Sequence, residues 1–257
     1  MIPTASPAPN SVGRWLRRPR PVADPRLRLV CLPHAGGTAG AFHSWATALP
    51  AHVELVAVQY PGRQDRLGEP CATGMAELAD GVAQALSPLL GRALALFGHS
   101  MGAALAYEVT LRLETLYRAR PRHLFVSGHA PPGFPRRSRD LHARGDAAMV
   151  EGLFALGGMD EALTADPDLL PLLLPSLRGD LKLIETYRPT EARPVGVPVT
   201  AYVGDSDPGV PVSDAAAWRD RTSGDFDLRV FPGGHFYLVQ QEAGIIEDIA
   251  ARLDLAG

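Results

Sequence analysis

The chain has 257 residues, with 25 lysines and arginines against 28 aspartates and glutamates, for a formal net charge of −3. That length suffices to bury a sizeable core in one α/β domain, and the interspersed charges lack the basic run expected of a nucleic-acid binder. No run of about 18 apolar residues occurs, which excludes a membrane-spanning helix, and the opening residues lack the apolar stretch of a secretory signal. The expected location is therefore the cytoplasm.

The basic residues are nearly all arginine, with Lys182 the single lysine, which reads as base composition of the gene rather than chemistry. Cys31 and Cys71 have no metal-like spacing. Cys31 lies in an apolar run and reads as a buried thiol, with no disulfide expected in a reducing compartment.

Residues 1–24 form a Pro/Arg-rich extension, expected to be disordered at its start, in which Trp15 and Leu16 could anchor onto the domain that spans 25–257. A buried strand is predicted at 28–33, followed by the glycine-rich loop His34-Ala35-Gly36-Gly37-Thr38-Ala39-Gly40 and a short helix at 42–49. A strand at 53–60 ends in Pro61-Gly62-Arg63. Met75, Leu78, Val82, Leu86 and Leu89 have helical spacing over 75–90. The apolar run 93–97 then meets Gly98-His99-Ser100-Met101-Gly102, and good helix formers follow from 103 to 116. Another strand is predicted at 124–127. Strand alternating with helix predicts a mostly parallel sheet with helices on both faces.

The alternation breaks between about 130 and 194. Pro131-Pro132-Gly133-Phe134-Pro135 is rich in turns, Arg136, Arg137, Arg139 and Arg144 follow, and apolar helical stretches occupy 149–156 and 169–187. Pro171 and Pro175 are expected to interrupt the second stretch. An insertion of about 60 residues exceeds an ordinary connection and reads as a lid over a site, with plain packing helices as the alternative. The sheet resumes at 199–204 and 227–231, with a helix at 213–222 between them and a final helix ending near 255.

Strand, Gly-x-Ser-x-Gly turn and helix together lift a serine Oγ clear of a sheet, ready to attack a carbonyl. A glycine-flanked serine that merely caps its helix is the plainer reading. A serine nucleophile needs a base, and the base needs a third group to hold its tautomer. In the α/β-hydrolase fold these partners follow in the order Ser, acid, His, each beyond a later strand. Asp207 lies just past the 199–204 strand, and His235, alone among eight histidines, just past the 227–231 strand. Asp205 is the alternative acid in the same loop; Asp207 is preferred because it is farther from the strand end and is stiffened by Pro208. The oxyanion donors expected are the backbone N–H groups of Met101 and, from the glycine-rich loop, Ala35. His34 has no second ligand positioned with it, so no metal is expected.

Taken together, Trp15-Leu16-Arg17-Arg18, the block from Leu29 to Gly37, Val58-Gln59-Tyr60-Pro61-Gly62-Arg63, Phe97-Gly98-His99-Ser100-Met101-Gly102-Ala103 and Gly234-His235-Phe236 resemble the type II thioesterases. These are free-standing partners of polyketide synthases and nonribosomal peptide synthetases. The resemblance spans nearly the whole chain from Trp15, departing at Leu32, where phenylalanine is common and a packing change alone is expected. It implies Ser100 as nucleophile, Asp207 as acid, His235 as base, and Met101 and Ala35 as oxyanion donors. It further implies hydrolysis of acyl groups from the phosphopantetheine arm of acyl or peptidyl carrier proteins, removing stalled units, with no cofactor of the enzyme's own. Arg136 and Arg137 could steer an acidic carrier protein or simply form a solvated face. A monomer is the expected state. Acyl transfer or general esterase activity would use the same triad, and a hydrolase-fold binding protein is disfavoured by its completeness.

Overall fold

Five apolar runs of this chain are too short for core helices and too continuous for half-exposed strands; each becomes a strand buried along nearly its whole length. A computed structural model of the chain describes residues 11–135, 140–157, 168–189 and 192–254. The strands are β1 (Leu16–Arg17), β2 (Leu27–Leu32), β3 (Val53–Val58), β4 (Leu94–His99), β5 (Leu124–Ser127), β6 (Val199–Gly204) and β7 (Phe226–Phe231). Among the described residues they form one sheet in the order β1-β3-β2-β4-β5-β6-β7. All neighbours are parallel except β1, which runs antiparallel to β3.

The helices, in chain order, are α1 (Ser11–Trp15), α2 (Trp45–Ala48), α3 (Met75–Leu86), α4 (Met101–Leu116), α5 (Asp146–Phe154), α6 (Leu169–Thr186), α7 (Val212–Ala216), α8 (Tyr237–Gln240) and α9 (Glu242–Arg252). Alternate strand residues face opposite ways, and the core divides accordingly. Val30, Leu32, Val56, Val58, Leu96 and Val126 pack beneath α3 and α4. Leu29, Cys31, Leu55, Ala57, Phe97 and Phe125 pack on the other face against Phe42, Trp45, Ile245 and Ile249. Leu32 is fully buried in the first of these layers.

The N-terminal segment joins the sheet through β1, with Leu16 buried and the Gln59 N–H donating to the Trp15 carbonyl at 2.8 Å. The Trp15 ring lies where a Cβ on Gly81 would stand, 2.5 Å from the ring edge, so α3 needs a glycine there. Arg18 and Arg28 both donate to the buried Glu54 carboxylate, each Nε at 2.8 Å, which satisfies a charge that would otherwise be costly in the core.

Element boundaries differ from expectation at three prolines. The α3 ladder stops at Leu86 and tightens into a 3-10 turn at Ser87–Leu89, since Pro88 has no N–H to continue it. By contrast, α6 runs unbroken through Pro171 and Pro175. Pro171 sits in the first turn, where the missing N–H is no loss, and Pro175 forgoes only one hydrogen bond. The C-terminal helix is two pieces, α8 and α9.

Between β5 and β6 the described residues carry α5 and α6. Leu141, Met149, Leu153, Leu177 and Leu181 form a small apolar cluster of their own there, with Ala35 packed against it. Among the described residues no helix is long and apolar enough to cross a membrane.

Candidate active site

Ser100 stands between β4 and α4 with φ +54° and ψ −118°, a left-handed conformation that a non-glycine residue adopts only under constraint. The constraints are close on every side. A Cβ on Gly98 would stand 2.0 Å from the Gly102 carbonyl oxygen, and one on Gly102 would stand 2.1 Å from that of Leu32. Both glycines are therefore required by the approach of strand and helix. The Ser100 N–H donates to the Ser127 carbonyl at 2.7 Å, tying the turn to the end of β5.

The structure brings Asp207 and His235 to this serine. His235 Nε2 lies 3.0 Å from Ser100 Oγ, and its Nδ1 lies 2.8 Å from Asp207 Oδ2. Both partners are buried. The second carboxylate oxygen of Asp207 accepts the Gly209 N–H at 2.7 Å and the Val210 N–H at 3.2 Å. Asp205, the alternative acid, is exposed and its Oδ1 accepts the Gly233 N–H at 3.0 Å. It braces the histidine loop instead of meeting the ring. Gly204 allows that bracing, because a Cβ there would stand 2.3 Å from the Gly233 carbonyl oxygen.

Met101 is the first residue of α4, so its N–H is one of the amides that have no acceptor within the helix, at the positive end of the helix dipole. Ala35 and Ser100 line the same cavity of about 350 Å³, together with Leu153, Leu156, Leu181 and Ile184 from the segment between β5 and β6. A larger groove of about 450 Å³ between α3, α4 and the end of α6 contains none of the three triad side chains in its lining. Arg136, Arg137 and Arg139 lie outside the described residues; Arg144 is exposed.

Several groups around the serine stand within the sequence motifs but were given no role by them. His99 packs 5.2 Å from the His235 ring, and its Nδ1 is 2.9 Å from Ser127 Oγ, which is 2.7 Å from the Tyr237 hydroxyl. Burial, with help from the neighbouring His235, pushes the His99 pKa well below the ordinary histidine value. Burial does the same to His34, down to about 4, aided by His235 and Arg63. Phe236 fills the space between these rings, 4.9 Å from His34 and 5.3 Å from His99. Two imidazoles kept neutral add no positive charge beside His235 at neutral pH.

A hydroxyl on a strained turn, an imidazole within hydrogen-bond reach and a buried carboxylate behind it can together deliver an alkoxide-like oxygen to a carbonyl. The comparisons agree with that chemistry. The family model described as the thioesterase domain matches residues 27–253. Thioesterase PikA5 of Streptomyces venezuelae is 44% identical over 243 residues, covering 94% of this chain and 86% of that protein. The gramicidin S biosynthesis protein GrsT of Aneurinibacillus migulanus is 33% identical over 246 residues, covering 96% of each. Among solved structures, the type II thioesterase BorB from the borrelidin biosynthetic cluster superposes with a TM-score of 0.84 at 40% identity, covering 93% of this chain and 97% of that one. The chain belongs to the thioesterase family of serine hydrolases, with the α/β-hydrolase fold.

Proposed function

We propose that this protein is a type II thioesterase that hydrolyses acyl groups from the phosphopantetheine arm of acyl or peptidyl carrier proteins, clearing stalled units from a synthase. The observation that carries the reading is the unbroken relay from Asp207 through His235 to Ser100, opening into an acyl-sized cavity. Ser100 Oγ attacks the thioester carbonyl while His235 Nε2 takes its proton, and Asp207 holds the Nδ1–H tautomer and steadies the imidazolium. The Met101 and Ala35 N–H groups receive the developing oxyanion. Collapse breaks the C–S bond, and His235 returns the proton to the departing thiolate. Water then adds to the acyl-serine with His235 again as base, releasing the carboxylic acid and the free Ser100 hydroxyl. Substrate, water and these side chains supply every atom, so the chemistry calls for no cofactor of the enzyme's own.

The segment spanning about 130–194 is read as a lid whose apolar wall shelters the acyl chain from water. Arg136 and Arg137 at its start are read as steering an acidic carrier protein. The test compares hydrolysis of the same acyl group on a carrier protein and on N-acetylcysteamine, with Ser100→Ala as control. A strong preference for the carrier, abolished in the variant, is expected. Equal rates on both would overturn the carrier-protein partner and leave a general small-acyl hydrolase.

A further inference from the structure

We propose that Arg63 and Asp180 are positioning residues that hold the Ala35 N–H at the angle needed for an oxyanion donor, making α6 part of the catalytic scaffold as well as a cover. The proposal rests on the acyl-serine reading above.

The two carry opposite charges in the core: Arg63 is 3% exposed and Asp180 1%. The guanidinium grips the carboxylate with both terminal nitrogens, Nη2 to Oδ1 at 2.8 Å and Nη1 to Oδ2. A pair this buried is a doubtful source of stability, since well-packed apolar residues often do as well or better. Its geometry points instead to the loop. Asp180 Oδ2 also accepts the Gly36 N–H at 2.8 Å, and Arg63 Nη1 donates to the Gly37 carbonyl at 3.3 Å. On the other side of Ala35, the Tyr60 hydroxyl donates to the Pro33 carbonyl at 2.9 Å, and Arg63 lies over the Tyr60 ring.

These contacts bracket one peptide group. The Pro33–His34 peptide is held through its oxygen and the Ala35–Gly36 peptide through its N–H. The peptide between them, His34–Ala35, is the one that carries the Ala35 N–H. With both flanking planes held, its orientation has little freedom left. Gly36, at φ +75°, lies so near α6 that a Cβ there would stand 2.6 Å from Leu177 Cδ1. The loop is thus seated on α6 by packing as well as by the ion pair. Preorganisation of donors is where hydrolases of this type gain much of their rate, and misplacement by about 1 Å can cost on the order of a hundredfold.

The test compares two double variants, both without the ion pair. Arg63→Met with Asp180→Asn keeps an amide oxygen to accept the Gly36 N–H, whereas Arg63→Met with Asp180→Leu removes the acceptor. Steady-state hydrolysis of an acyl N-acetylcysteamine thioester is measured, so no carrier protein is involved. The expected result is a fall in kcat of about tenfold to a hundredfold in the leucine variant, with KM within about threefold of wild type and most of kcat restored in the asparagine variant. Equal kcat in the two variants would overturn the proposal. Should the leucine variant not fold, amide hydrogen exchange at Gly36 in the unaltered protein decides: strong protection is expected, and exchange at the rate of an open loop would overturn it. A wild-type chain inactive on this thioester would instead overturn the acyl-serine reading on which the proposal stands.

Discussion

The two walls of the cavity are held together by different kinds of interaction. On the sheet side, loops after neighbouring strands are bonded backbone to backbone: Ser100 N–H to Ser127 O at 2.7 Å, Asp205 N–H to Phe231 O at 2.9 Å and Ser206 N–H to Gly233 O at 3.1 Å. On the helical side, a five-residue apolar cluster, the Arg63–Asp180 pair and the Glu185 carboxylate do the holding. Glu185 accepts the N–H groups of Leu141 and His142 at 2.9 and 3.0 Å. Backbone bonds survive side-chain change, whereas a small apolar cluster is remodelled by single substitutions. The sheet side is therefore suited to constant chemistry, and the helical side to variable choice of acyl group. Asp180 joins the two through its bonds to Arg63 and to the Gly36 N–H, alongside the packing of Ala35 against the apolar cluster.

The largest effect is expected on the sheet side, from the two aspartates of one loop. Asp207→Asn should lower kcat by about 10⁴-fold, because the ring loses the partner that holds its tautomer. Asp205→Asn should stay within about threefold, since its side-chain oxygen can still accept the Gly233 N–H. Comparable losses in both variants would break the assignment of the acid.

On the helical side, Leu181→Ala opens the wall between α6 and the cavity. We expect a stability loss of about 2 kcal/mol, at the low end for a buried leucine because the cluster is small. Preference should shift toward bulkier acyl groups while kcat on small ones stays within a few-fold. Acyl-chain profiling against N-acetylcysteamine thioesters checks this, and an unchanged profile with lowered kcat throughout would place Leu181 outside the acyl wall.

Acid should act through two imidazoles, the buried His99 and the half-buried His34 at the cavity wall. His34 is held down to about 4 and His99 well below the ordinary value, so the unfolded chain binds protons that the folded chain refuses. Their neutral burial is without cost above about pH 6.5, and stability is lost as pH falls from there toward 4, by up to about 1.4 kcal/mol per unit for each ring. Denaturant titrations should show this slope, and His34→Gln should reduce it. An unchanged slope in that variant would show His34 to be solvated.

The smallest effect concerns the carrier. Reversing charge at Arg136 and Arg137 should raise KM several-fold for carrier-bound acyl groups, more at low salt, and leave N-acetylcysteamine substrates untouched. No change would remove these residues from the carrier contact.

The sheet side was far more legible in the sequence than the helical side. The turn at Ser100 is a local event, readable from Gly98, Gly102 and the apolar run before them. Asp207 and His235 are legible through their place after strands. The preference for Asp207 over Asp205, read from its distance past the strand end and from Pro208, matches the loop geometry that buries one and exposes the other. Arg63 was visible only as part of a motif, and Asp180 was not singled out. Their contact joins residues 117 positions apart, and no periodicity reports such a pairing. One signal was present: Asp180 shares the apolar face of α6 with Leu177, Leu181 and Ile184, where an acid is out of place unless paired. The strand at Leu16–Arg17 escaped because two residues have no pattern; the helical stretch at 169–187 was legible, and only its expected breaks at Pro171 and Pro175 were overridden by packing.

The most direct measurement is the site of covalent labelling by a fluorophosphonate, mapped by peptide mass spectrometry in the wild-type protein and in Asp207→Asn. The expected result is one equivalent on Ser100, formed much more slowly in the variant as thioester hydrolysis is lost in parallel. Label on another residue, or hydrolysis that persists after Ser100 is blocked, would contradict a serine nucleophile driven by His235 and Asp207.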